Sequence, residues 1–240
     1  MRAFFFGLIP ILLLACNNKA AQEKEPIEIV YQDEEQAQLN IPEGCELDSL
    51  SFEEKELRLT VRIIAPKCID PKLDNSFQSL LKDWLDWGRA NAKSVLEKRK
   101  ASGVFDERYC SMNLYPEFFY SDSSWVSYRF YTSWNEEAIH PLPGYLSFTY
   151  FIPENRKVEF QDLFVLDSPR DSANFMSVIS AHLEKAEHKL SHLYPFEFNL
   201  EEDAISFNFG PYELGAYASG MPRAVVPKAD LIGFLKEKYR

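Results

Sequence analysis

The sequence predicts an α+β fold: an antiparallel sheet with two main helices packed against it. Three observations carry that expectation. Strand-like runs cluster in the middle and near the end of the chain instead of alternating with helices. Two amphipathic stretches, one before and one after the central cluster, keep helical spacing. Aromatic residues are abundant, with 19 Phe and 12 Tyr in 240 residues, enough apolar area for a substantial core.

The chain opens on MRAFFFGLIPILLLACNN, with one Arg, an apolar run from Ala3 to Ala15, and then Cys16. That run is shorter than the ~20 apolar residues a membrane span needs, and it suits a signal-peptide core. Residues 1–15 are therefore expected to be a signal peptide. Leu13-Leu14-Ala15-Cys16 resembles the lipobox of bacterial lipoproteins. The resemblance implies that Cys16 is lipidated and becomes the first mature residue. Membrane attachment would then run through acyl chains, with the domain extracytoplasmic in a bacterial cell envelope. An ordinary cleaved signal with an incidental cysteine is the alternative.

Residues 16–43 read as the lipidated N-terminus and a flexible acidic tether, because they hold too few large apolar residues to offset ordering entropy. Ile27 to Tyr31 could add a short strand, and an interaction tail is the other reading of this segment. The formal net charge is −11 at pH 7, and losing Arg2 with the leader takes it to about −12. Such a chain is not expected to bind nucleic acid or adhere to anionic lipid, both of which call for Lys and Arg. It would suit a cationic partner, or solubility alone.

Residues 44–114 form the expected N-terminal strand–helix part. ELDSLSFE and KELRLTVRIIAP read as two strands joined around Glu53 to Lys55, with Arg58 to Ile64 the clearest β pattern. Pro66 and Pro71 are expected to stop the second strand. Asp74 or Asn75 then caps a helix on which Phe77, Leu80, Leu81, Trp84, Gly88, Ala92, Val95 and Leu96 recur at steps of three and four. Its basic end, Lys98-Arg99-Lys100, complements the negative helix pole. Trp84 and Trp87 read as core aromatics, with ligand stacking as the alternative.

Past Cys16 the chain holds Cys45, Cys68 and Cys110. Outside the cytoplasm such an odd set implies one disulfide and one leftover thiol. Antiparallel pairing of the first two strands would bring their outer ends together, so Cys45–Cys68 is the favoured pair against the alternatives involving Cys110. No C-x-x-C or Cys/His cluster is present, and no metal or other cofactor is expected.

Residues 115–240 carry the remaining elements. NLYPEFFYSD, SWVSYRFYTSW and YLSFTYFIP read as strands, with a turn at residues 153–157. A second amphipathic helix is expected over about 172–193, with Phe175, Met176, Ile179, Leu183, Ala186 and Leu190 inward. ISFNF and AVVP supply the final strands, and DLIGFLKEKY a short closing helix.

Glu184, His188 and His192 stand at steps of four and share a helix face, a spacing that can chelate a metal. Without H-E-x-x-H, solvated surface is the preferred reading. His140, in a loop beside two prolines, has the one side chain poised to titrate near neutral pH. No Ser, Cys or carboxylate around it makes a recognisable catalytic grouping. Asp162 could cap a turn or bind a ligand.

The second half carries a resemblance. WNEEAIHP, then YLSFTYFIPENRKVEFQDLF, a helix, and FNFGPYELGAYASGMPRAVVP resemble the bacterial domain of unknown function numbered 3298. Asp162-Leu163-Phe164, Tyr212, Tyr217, Ala218, Gly220 and Pro227 match its pattern, over roughly residues 115 to 235. Ala138 and Ile139 depart from its usual Gly-Ala before His140-Pro141. The strand–helix part before it is similar, more loosely, to the companion domain numbered 4163.

The resemblance implies an envelope lipoprotein context. Such domains stand beside peptidoglycan deacetylase domains and in the extracellular half of a lysozyme-sensing anti-sigma factor. A non-catalytic domain binding a protein (lysozyme-like) or peptidoglycan ligand is therefore the first expectation, with His140, Asp162, Tyr212 and Tyr217 as its binding surface. The alternative is a cell-wall hydrolase or deacetylase-associated enzyme with its site near His140. GPYELGAYASG itself reads as a folding corner, with positive φ available at Gly210 and Gly220 and tyrosine rings free to bury.

Overall fold

The computed structural model describes residues 41–103, 107–136, 140–183, 190, 196–216 and 220–240. The expectations for the leader, Cys16, the tether, the Glu184/His188/His192 face and Tyr217 lie outside the described residues. Among the described residues, no helix is long and apolar enough to cross a membrane.

The first hairpin joins β1 (Cys45–Glu54) to β2 (Leu59–Cys68), and Arg58 takes a positive φ of 49° at the turn. The register sets Cys45 opposite Cys68, and the two form the expected disulfide with a Cα–Cα distance of 4.1 Å. Cys110 is buried and stays outside it. Pro66 does not stop β2 but sits inside it. It lies beyond residues 59–63, where β2 pairs with its second neighbour, so one side of the strand is unpaired there.

Pro71 does not simply end a strand either; it opens α1 (Pro71–Ala101). The Asp70 carboxylate accepts from the N–H of Lys72 at 2.7 Å and of Leu73 at 3.2 Å. A proline at the first helical position needs no N–H and presets φ, so the cap falls at Asp70 and not at Asp74 or Asn75. Asp74 instead accepts from the Cys68 N–H at 3.0 Å and ties the helix to the end of β2.

The long helix carries the chain back along β2, so β3 (Cys110–Ser121) pairs with β2 in parallel, Leu59 opposite Cys110. The sheet is therefore mixed, which corrects the wholly antiparallel expectation within the α+β class. β4 (Trp125–Asn135), β5 (Leu142–Phe151) and the short β6 (Arg156–Lys157) follow antiparallel, giving six strands in chain order.

Alternation on β4 and β5 separates two faces. Tyr128, Phe130, Phe148 and Tyr150 point to the α1 side and form one core with Phe77, Leu81, Val61 and Leu114. Phe77 contacts Tyr128 edge-on at 5.8 Å between centroids and Phe130 at 5.3 Å. Ser127, Arg129, Ser147 and Thr149 point the other way and are nevertheless buried.

A second sheet covers them, built from β7 (Glu197–Leu200), β8 (Ala204–Asn208) and β9 (Arg223–Pro227). Its own alternation puts Asn199, Ser206 and Asn208 toward β4 and β5. Phe198, Leu200, Ile205, Phe207 and Val226 face a second core with Phe175 and Ile179. The layers run helix, sheet, sheet, helix.

Between α2 (Phe160–Leu163) and β7 lies α3 (Pro169–Ala181), capped by Ser168. It is shorter than the expected 172–193 helix. His182 ends it, and Leu183 makes a β-bridge to Ala224, so pairing with the second sheet outcompetes helical continuation. Phe175 and Ile179 face inward as expected, whereas Met176 is half-buried. The expected closing helix over 230–239 is likewise broken, into α4 (Lys228–Leu231) and a 3-10 turn at Glu237–Tyr239. Leu235 bridges Phe164, and the Val165 N–H donates to the Phe234 carbonyl at 2.7 Å, which pulls the chain off the helical path.

Candidate functional site

The register of β4 against β5 creates a notch on the α1 side of the main sheet. Trp134 faces Leu142 and Phe130 faces Leu146, but between these bulky rows Thr132 faces Gly144. A Cβ at Gly144 would sit 2.9 Å from the Thr132 Oγ1, so the absence of a side chain keeps the notch open.

α1 supplies the opposite wall. Trp84 and Trp87, one helical turn apart, stand over the notch. Gly88 lets the helix settle on the sheet, since a Cβ there would meet the Met112 Sδ at 2.3 Å. The result is a shallow cleft of about 220 Å³. Trp84 is half-buried against the core, but Trp87 is 47% exposed. This corrects the core reading of Trp87. Its ring meets Trp134 in a T-shaped pair, with centroids 5.5 Å apart and planes at 73°, an arrangement that restrains a ring nearly half of whose surface meets solvent. Thr132, Ser133, Pro143 and Leu142 complete the lining, and among the described residues none that lines it bears a formal charge.

A second concavity, of about 240 Å³, lies near Asp122, Trp125 and Lys228. Its polar groups are engaged within the protein. The Asp122 carboxylate accepts from the N–H of Ser124 and Trp125 and from the Tyr120 hydroxyl, the last at 2.7 Å. Burial, reinforced by that bond, pushes the Tyr120 pKa up to about 12. Lys228 donates to the Glu202 carbonyl at 2.8 Å. These contacts read as a structural joint.

His140 and Asp162, both singled out from the sequence, do not converge. His140 stands at an exposed bend just before β5 and lines neither concavity. Asp162 lies past the far end of that strand, about 30 Å along at 3.3 Å per residue. It accepts from the Glu159 N–H at 3.0 Å, closing a capping box on α2, and from the Arg156 guanidinium at 3.0 Å. Burial opposes its ionisation, yet those two bonds outweigh it and hold the carboxyl below its ordinary range. Arg156 also donates to the Tyr239 hydroxyl at 2.7 Å. Asp162 is thus a capping and pairing residue.

Tyr212 follows β8 and is 65% exposed, so its ring is not buried as the folding-corner reading allowed. It adopts a positive φ of 72°, as does Gly220 at 77°, whereas Gly210 does not. The chain turns there through a tyrosine at the surface. The sequence did place Trp84 and Trp87 three apart on one helix. The Thr132–Gly144 pairing that opens the space beneath them depends on a strand register the sequence does not state.

No family model and no curated protein matches this sequence. Solved structures share its fold, two of them crystal structures from one family. One is of a protein of the domain-of-unknown-function 3298 family from Pseudomonas aeruginosa PAO1, 15% identical, with a TM-score of 0.55 over 82% of this chain and 96% of that one. The other, a member of the same family from Bacteroides fragilis, is 14% identical, with a TM-score of 0.55 over 80% of this chain and 94% of that one. At these identities the likeness is one of fold.

Proposed function

We propose that this chain is a member of that family and a cell-envelope protein held at a membrane by lipid on Cys16, whose folded domain binds a ligand without transforming it. The observation that carries the binding reading is Trp87, a large aromatic face left to solvent on the rim of an uncharged cleft. Exposed aromatics in fixed positions are the residues that dominate recognition. The exposed setting of His140, apart from either concavity, favours binding over the hydrolase alternative. The Cys45–Cys68 bridge fits an oxidising compartment outside the cytoplasm. The ligand is a protein or a component of the cell wall.

Two measurements test this. Cys16→Ser is expected to block acylation and leave a precursor or a released protein; mature-size protein that stays in detergent-soluble membranes after a high-salt wash, which strips protein held only by a ligand, overturns the anchor. The released protein is then expected to co-sediment with isolated envelopes, and failure to do so overturns the ligand-binding reading.

A further inference from the structure

We propose that the Trp84–Trp87 cleft binds one neutral sugar ring of a saccharide, stacked on the exposed face of Trp87. This rests on the ligand-binding reading above and names the ligand class. Charge is the first argument. The chain carries a net −11, yet among the described residues the cleft lining is uncharged. An ionic ligand, or an ionic side chain of a partner, would enter without a counter-charge.

Size is the second. About 220 Å³ lies below the span usual for drug-sized ligands, roughly 300–1,000 Å³. It accommodates one six-membered ring and little more. A proline-rich peptide needs a longer groove with successive aromatic ridges.

Surface chemistry is the third. A pyranose presents a face of C–H groups and an edge of hydroxyls. The C–H face carries partial positive charge and sits well on the negative face of an indole. The T-shaped contact with Trp134 restrains that indole. Thr132, whose hydroxyl can both donate and accept, stands on the cleft floor at the row opened by Gly144. An aliphatic ligand would gain nothing from that hydroxyl, whereas a sugar edge would.

The probes are a β-linked N-acetylglucosamine trimer, a cellulose-derived trimer and a proline-rich peptide, each titrated into the purified full-length protein. Three of the four tryptophans line the cleft, so tryptophan emission reports occupancy, and ligand-observed NMR gives affinity independently. At least one saccharide is expected to bind with a dissociation constant on the order of 1 mM, as befits one stacked ring with few hydrogen bonds. Trp87→Ala is expected to weaken it by about tenfold or more, and Trp87→Phe by less. Because Trp87 is half-exposed, both variants should fold; Gly144→Val, which fills the floor, provides a second route to the same loss. No saccharide response up to about 10 mM, or a response that Trp87→Ala and Gly144→Val leave intact, overturns the inference. Peptide binding lost in Trp87→Ala, without saccharide binding, overturns the saccharide class while leaving the cleft as the ligand site. Envelope co-sedimentation without any saccharide response likewise separates the two readings.

Discussion

Replacing Asn199 by Ala is expected to destabilise the protein by about 3–5 kcal/mol, among the largest effects of any polar substitution in it. The Asn199 side chain is fully buried between the two sheets and uses its whole hydrogen-bonding capacity. Its Nδ2 donates to the Tyr128 carbonyl at 2.6 Å and to the Ser127 Oγ at 3.1 Å. Its Oδ1 accepts from the Asn208 Nδ2 at 2.8 Å and the Ser147 Oγ at 3.1 Å.

Four strands, β4, β5, β7 and β8, therefore meet in one amide. Truncation removes four hydrogen bonds and leaves a buried Asn208 amide N–H and the Ser147 hydroxyl without their acceptor. Leucine, though close in volume, should fare no better, because it also leaves them unpaired. Arg129 marks the edge of the same layer, 5% exposed, with its Nε 3.0 Å from the Glu117 carboxylate and its plane beside the Phe118 and Tyr145 rings. Urea unfolding of Asn199→Ala and Asn199→Leu reads the effect as a fall in midpoint at constant slope. A loss below about 1 kcal/mol in both would mean that the layer relaxes around the gap or admits water.

Removing the Cys45–Cys68 bridge, by Ser at both positions, is expected to cost about 2–5 kcal/mol. The bond closes a separation of 23 residues across the outermost hairpin. β1 is mostly exposed and pairs with β2 alone, so little else fixes it. The Tyr128 hydroxyl lies 3.8 Å from one sulfur and 3.7 Å from the other. Burial raises its pKa, so it stays neutral beside them. Unfolding of the wild-type protein with and without reductant should reproduce the double variant's loss. Equal stability in all three would show that β1 contributes little to the cooperative unit.

Much of the fold was readable because local patterns and tertiary packing agree. The Cys45–Cys68 pairing, favoured over the alternatives with Cys110, followed from two runs expected to lie antiparallel, and the structure forms it. Phe77, Leu81, Ala92 and Val95 were legible as one helix face and are buried. What was not legible depends on what the second face of a strand meets. Ser127, Arg129, Ser147 and Thr149 alternate with aromatics as solvent-facing residues would, and only the polar underside of β7 and β8 buries them. The parallel β2–β3 pair was hidden for a related reason. Pro71 signals both the end of a strand and the start of a helix, and the helix's return path decides strand direction. At the candidate site, the tryptophan spacing was visible but the glycine opposite Thr132 was not. The sequence drew attention to His140, Asp162 and Tyr212, none of which is among the residues that line the cleft.

The most direct test of the account is envelope co-sedimentation of the released protein carrying Cys16→Ser, freed of residues 1–15, compared with the same protein bearing Trp87→Ala or His140→Ala in addition. The cleft reading predicts that His140→Ala is retained on envelopes as fully as its parent, while Trp87→Ala falls by about tenfold or more with its melting temperature little changed. Loss of retention in His140→Ala, with Trp87→Ala still bound, would contradict the account and return the site to the loop before β5.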